Sequence, residues 1–161
     1  MKFNIFLLLL ATFLAVGSPQ ETQIYPGDYF IQNIDTYKYW AKPISANDGI
    51  PLKIEQTEAA VWKIITVGKN FYIRPLSKVK LSVALVNDKF LRLKETTPNP
   101  QNLQWKINPQ GSNVVIQSAA DQYAYVNTDF YNKVEYLSPG SDAEAKWRLI
   151  PYAANKRIKL Q

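Results

Sequence analysis

The sequence contains no cysteine and no histidine, and its one methionine is Met1. Without thiolate or imidazole the usual zinc and copper ligand sets cannot be assembled. Neither a Ser-His-Asp nor a Cys-His arrangement can be built. The 13 acidic residues are scattered, with no composed carboxylate motif of the kind that hydrolyses glycosidic bonds. These absences point away from an enzyme, and no metal or cofactor is expected. No disulfide can staple the fold, so its stability must come from a packed core. No Asn-x-Ser/Thr sequon occurs, so N-glycosylation is not expected. The formal net charge of +6 suits an anionic surface or partner. The basic residues are nevertheless dispersed, and the longest cluster, Lys156-Arg157-Ile158-Lys159, reads as a solvated C-terminal tail. A nucleic-acid partner is not expected.

The first residues carry a targeting pattern. Lys2 is followed by an apolar run from Ile5 to Val16, broken only by Thr12, and then by the small residues Gly17 and Ser18. This order reads as a secretory signal peptide over residues 1–17. The run is shorter than the roughly 20 apolar residues of a comfortable membrane span. The expectation is a secreted, extracellular chain in which residues 18–161 form a single monomeric domain, with no membrane association after cleavage.

An internal repeat runs through that domain. Val61-Trp62-Lys63-Ile64 returns as Gln104-Trp105-Lys106-Ile107 and as Lys146-Trp147-Arg148-Leu149, each a tryptophan, a base and an aliphatic residue. The tryptophans are 43 and 42 residues apart. A second motif keeps the same phase: Gly27-Asp28-Tyr29-Phe30-Ile31-Gln32, Gly68-Lys69-Asn70-Phe71-Tyr72-Ile73-Arg74 and Gly111-Ser112-Asn113-Val114-Val115-Ile116-Gln117. A fixed period of this length marks a repeat architecture, with copies over about 25–66, 67–108 and 109–150.

Each copy divides into four short strands. The first copy predicts Tyr29–Asn33, Tyr39–Lys42, Pro51–Glu55 and Val61–Thr66. The second predicts Phe71–Pro75, Lys80–Val86, Phe90–Lys94 and Gln104–Asn108. The third predicts Val114–Ser118, Tyr123–Asn127, Val134–Leu137 and Lys146–Ile150. The runs are rich in Val, Ile, Tyr, Phe and Trp, and Pro, Gly, Asn and Asp separate them. Twelve strands in three equal units imply an all-β chain with the β-trefoil fold. A three-bladed propeller would leave its channel unclosed. Trp62, Trp105 and Trp147 then become a shared core layer around a pseudo-threefold axis. Gly27, Gly68 and Gly111 are expected to supply positive φ in tight turns.

Function on such a scaffold must sit in the loops. Three stand out: 43–50, flanked by Pro43 and Pro51; 75–79, which mixes basic and apolar residues; and the proline-stiffened 95–101. The stretch Tyr25-Pro26-Gly27-Asp28-Tyr29-Phe30-Ile31-Gln32-Asn33 resembles the opening strand of the mushroom, cospin-like β-trefoil serine protease inhibitors. Trp40-Ala41, Asn47-Asp48-Gly49-Ile50-Pro51 and the Trp-base-aliphatic strands extend the resemblance over most of residues 25–150. It implies inhibition of a secreted serine protease by an exposed, substrate-like loop. In that family the loop after the second strand can carry the reactive site, which here is Lys42, Pro43, Ile44, Ser45 and the residues to Ile50. A lysine in the primary position would pair with the aspartate of a trypsin-type pocket. Because Pro43 follows Lys42, Asn47 in the same loop and Lys78 in the second copy are candidates as well.

The alternative is a ricin-B-like lectin with a carbohydrate partner. The Gln-x-Trp signature of that group is missing, since Ala60, Leu103 and Ala145 stand two residues before the tryptophans. Tyr37, Tyr39, Tyr123 and Tyr131 remain as aromatic platforms for a sugar ring.

Overall fold

The structure, a computed structural model, describes residues 23–43, 51–78, 80–86, 90–97, 100–128, 132–137 and 146–153. Twelve strands occur among them: β1 (Gly27–Asn33), β2 (Tyr39–Trp40), β3 (Ile54–Glu55), β4 (Trp62–Val67), β5 (Asn70–Pro75), β6 (Leu81–Leu85), β7 (Leu91–Glu95), β8 (Trp105–Gln110), β9 (Asn113–Ser118), β10 (Tyr125–Thr128), β11 (Val134–Leu137) and β12 (Trp147–Pro151). Strands β1, β4, β5, β8, β9 and β12 pair antiparallel in a closed ring, the last returning to the first. Closure removes the sheet edge that would otherwise invite aggregation. The pairs β2–β3, β6–β7 and β10–β11 are hairpins outside the ring. This is a β-trefoil, as the threefold repeat predicts.

The register explains why two sequence motifs keep one phase. The aliphatic residue two places after each tryptophan lies directly opposite the repeated isoleucine: Ile64 on Ile73, Ile107 on Ile116, and Leu149 on Ile31. Moving either motif by one residue would turn its apolar side chains out of the core. A backbone bond repeats in the same way. The N–H groups of Ile34, Leu76 and Ala119 donate to the carbonyls of Lys146, Val61 and Gln104, each the residue before a tryptophan.

Trp62, Trp105 and Trp147 are 0% exposed and belong to the core, as does Trp40. Their indole N–H groups donate to the carbonyls of Trp40, Val83 and Val126 respectively. Each bond ties a barrel strand to the hairpin that covers it.

Several local expectations differ from the structure. Strands β2 and β3 are two residues each, shorter than Tyr39–Lys42 and Pro51–Glu55. Ala41 bridges Ala59, Pro51 bridges Arg92 and Lys53 bridges Lys133, so this backbone pairs with several neighbours instead of continuing one ladder. Strand β10 starts at Tyr125 rather than Tyr123, because Tyr123 lies in the preceding turn, closed by the Ala124 N–H on the Asp121 carbonyl. Strand β8 runs on to Gln110, which pairs with Asn113 across the turn. Gln101–Leu103 forms a single 3-10 turn. Gly68 and Gly111 have φ of 60° and 64° as expected, but Gly27 does not take a positive φ. It is the first residue of β1, paired with Ile64.

Candidate functional site

The turns after β1, β5 and β9 occupy equivalent places in the three repeats. Each carries an exposed apolar side chain: Tyr37 at 63%, Leu76 at 37% and Tyr123 at 52%. Solitary exposed apolar residues are ordinary. Three on repeat-related turns of one scaffold are a pattern.

In the first turn the buried Asn33 organises the backbone. Its Oδ1 accepts from the N–H of Asp35 at 3.1 Å, the N–H of Thr36 at 2.9 Å and the Thr36 hydroxyl at 3.0 Å. Gln32, buried beside it, donates its Nε2 to the Tyr37 carbonyl at 3.1 Å. Tyr37 is held with φ of 59°, in the left-handed region that few non-glycine residues occupy. Strain of this kind costs about 1–3 kcal/mol and persists where the surroundings impose it. The result is a phenol ring presented to solvent on a pinned backbone, two residues from the Asp35 carboxylate.

The third turn repeats the device with different residues. Ser118 Oγ accepts from the N–H groups of Ala120 and Asp121, at 3.1 and 3.3 Å. Gln117 Nε2 donates to the Gln122 carbonyl. The backbone N–H of Tyr123 donates to Asp121 Oδ1 at 2.9 Å, which fixes the backbone that carries the ring. The second turn departs from the scheme. Pro75 has no N–H to give, and Arg74 replaces the glutamine and donates to Ser82 Oγ at 3.1 Å.

Of the other aromatic candidates, Tyr39 is half-buried, with its ring 6.2 Å from that of Phe30. Tyr131 lies outside the described residues. Among the described residues the exposed candidates are therefore Tyr37 and Tyr123. The repeat motif places Gln32, Arg74 and Gln117 in one column after the repeated isoleucines, but nothing in the sequence gives them a role; the structure shows Gln32 and Gln117 donating to turn carbonyls.

The inhibitory-loop candidates are placed in part. Lys42 is exposed, and its N–H donates to the Glu58 carbonyl at 3.0 Å. Pro43 is half-buried, while Ile44, Ser45 and Asn47 lie outside the described residues. Lys78 is half-buried in a closed turn: its N–H reaches the Pro75 carbonyl and its own carbonyl accepts from Leu81, each at 3.0 Å.

A cavity of about 660 Å³ opens at the barrel end away from the hairpins, lined by Ile24, Tyr25, Thr66, Phe71, Ile107 and Pro109 among others. Nearby, the Tyr29 hydroxyl donates to the Tyr25 carbonyl at 2.9 Å, and burial raises its pKa above the ordinary tyrosine value.

No family model and no curated protein matches this sequence. Solved structures do match. A salivary protein of the Cysteine and Tryptophan-Rich family from Culex quinquefasciatus is similar at 21% identity and TM-score 0.67, over 83% of this chain and 99% of that one. The designed threefold-symmetric protein ThreeFoil is similar at 14% identity and TM-score 0.67, over 77% of this chain and 98% of that one. The GlcNAcα1-4Gal-releasing endo-β-galactosidase of Clostridium perfringens matches at 15% identity and TM-score 0.67, over 77% of this chain. The present chain spans 32% of that enzyme's length. At these identities the likeness is one of fold.

Proposed function

We propose that this protein is a secreted, non-catalytic carbohydrate-binding trefoil of the ricin-B-like kind, with Tyr37 and Tyr123 as its two sugar platforms. The observation that carries the reading is the recurrence of an exposed tyrosine on equivalent turns of two repeats, each turn held by a glutamine amide that donates to the carbonyl of Tyr37 in the first and to that of Gln122, the neighbour of Tyr123, in the third. A pyranose presents a C–H face that stacks on an aromatic ring and hydroxyls that need polar partners. A phenol ring next to a carboxylate offers both. The rigid turn lowers the ordering cost of binding. Two shallow sites of low individual affinity gain through avidity on a branched or surface-borne glycan. A neighbour of the same fold forms part of an enzyme acting on a GlcNAc–Gal substrate, which is consistent with this reading.

A glycan array followed by titration tests it. The wild-type protein should bind a defined set of glycans. Tyr37→Ala and Tyr123→Ala should each weaken binding about tenfold, equivalent to ~1.4 kcal/mol, and the double variant should abolish it. A blank array, or an unaffected double variant, overturns the reading.

A second reading, inhibition of a serine protease in the manner of the cospin-like proteins, is favoured by the exposed Lys42 on a fixed backbone immediately before segment 43–50. Lys78 suits it less, since a protease cleft takes an extended strand and not a closed turn. Stoichiometric inhibition of a trypsin- or subtilisin-type protease that disappears in Lys42→Ala would support it. No inhibition at micromolar protein would remove it.

A further inference from the structure

The three hairpins do more than close the barrel. Their inner strands meet at one apex, where the Leu52 N–H donates to the Leu91 carbonyl at 2.9 Å, Val134 to Leu52 at 2.8 Å, and Ile54 to Asn132 at 2.8 Å. Leu52, Ile54, Leu91 and Val134 are buried there. Side chains alternate along extended backbone, so the residues between them face outward. Those residues include Lys53, Arg92 and Lys133, one from each repeat.

Pairing brings these cations together. Lys53 lies directly opposite Lys133, and Arg92 opposite Pro51. Opposed residues of an antiparallel pair have Cβ atoms about 4.5–5.5 Å apart, and like charges in that position repel. The Lys133 ammonium sits 4.9 Å from the centroid of the Phe90 ring. Lys38 joins the group by donating its Nζ to Asn132 Oδ1 at 2.8 Å. Glu55 lies on the same stretch, two residues from Lys53.

Lys38 directly follows Tyr37 and bonds the residue before Lys133, which ties the Tyr37 turn to the apex. Both turns carry a carboxylate two residues before the tyrosine, Asp35 and Asp121, but the Tyr37 turn is also joined to the apex lysines through the Lys38–Asn132 bond. We infer that the Tyr37 turn and the hairpin apex make a subsite for an acidic glycan, a sugar chain bearing sulfate or carboxylate groups. Tyr37 stacks on a sugar ring, and Lys53 and Lys133 take the anion. An anion seated between two opposed ammonium groups offsets their repulsion, which a neutral sugar cannot do. This inference rests on the carbohydrate reading and narrows it to a charge class at one of the two tyrosines.

The test uses the mature protein with four probes: immobilised heparin, hyaluronan, neutral dextran and phosphatidylserine vesicles. The variants are Lys53→Gln/Lys133→Gln, the charge-matched control Lys69→Gln/Lys106→Gln on the barrel, and Tyr37→Ala. Far-UV circular dichroism and Tm should show each variant folded. Heparin should bind at low salt and weaken steeply as salt rises. Its affinity should fall at least tenfold in the apex variant and in Tyr37→Ala, and stay unchanged in the control. Equal loss in apex and control variants, or vesicles bound in preference to heparin, overturns the subsite. If glycans bind but the apex variant binds them undiminished, this inference falls and the carbohydrate reading stands. If no glycan of either kind binds, both fall.

Discussion

Trp62 donates its indole N–H to the carbonyl of Trp40 at 3.4 Å, and the Trp40 ring stands edge-on to it with centroids 5.2 Å apart. The corresponding bonds in the other repeats are shorter: 2.9 Å from Trp105 to Val83 and 3.1 Å from Trp147 to Val126. The wider ring at position 40, where the other repeats have valine, accompanies the longer bond. Replacing each tryptophan by phenylalanine leaves a carbonyl without its donor, which costs about 1–3 kcal/mol besides the lost contact. Trp105→Phe and Trp147→Phe should therefore destabilise more than Trp62→Phe, as urea denaturation midpoints at constant m would show.

Trp40 gives a contrasting expectation. Its own Nε1 is buried and has no hydrogen-bond partner among the described residues. Trp40→Phe loses contact with Trp62 and Trp147 but also removes that uncompensated donor, a gain of about 1–3 kcal/mol. The variant should cost at least about 1 kcal/mol less than Trp105→Phe. A larger loss would mean that the indole N–H is satisfied by an internal water.

The glycines should separate by backbone geometry. Gly68 and Gly111 hold positive φ with open space where a Cβ would sit, so alanine meets backbone strain alone, about 1–2 kcal/mol. Gly27→Ala carries no such strain. Its Cβ would lie 3.2 Å from the edge of the Tyr29 ring, which can shift. Thermal denaturation should rank Gly68→Ala and Gly111→Ala below Gly27→Ala in Tm.

Tyr29 predicts an alkaline effect. Burial raises its pKa in the folded state, so its protonated form favours folding. That contribution is fully present below the unfolded value of about 10 and is lost as pH rises through the higher folded value. Stability measured between pH 9 and 11.5 should fall less steeply in Tyr29→Phe than in the wild type. The variant should also be slightly weaker at neutral pH, having lost the bond to the Tyr25 carbonyl.

The repeat was legible because it is written in large apolar residues. Tryptophan and isoleucine at fixed spacing must be buried, and three equal units of four strands admit few closed arrangements. The hairpin ends were less legible. Ala41, Pro51 and Lys53 look like ordinary strand residues, yet their bridges go to Ala59, Arg92 and Lys133. Gly27 was misread because glycine before a strand usually marks a left-handed turn, whereas here the chain enters β1 extended.

The exposed tyrosines were visible in the sequence as four candidates; of the three among the described residues, burial removes Tyr39 and leaves Tyr37 and Tyr123. Nothing local distinguishes Tyr39 from Tyr37, since the difference is the Phe30 ring that packs against Tyr39.

The sequence by itself determined the threefold β architecture, the tryptophan core and the lack of imidazole and thiol chemistry, because periodicity and composition act through burial and through which side chains exist. Only the tertiary structure decided that Lys53 meets Lys133 and that Lys38 reaches Asn132. Those pairs belong to different repeats, and long-range strand pairing, which leaves no local pattern in the chain, brought them together.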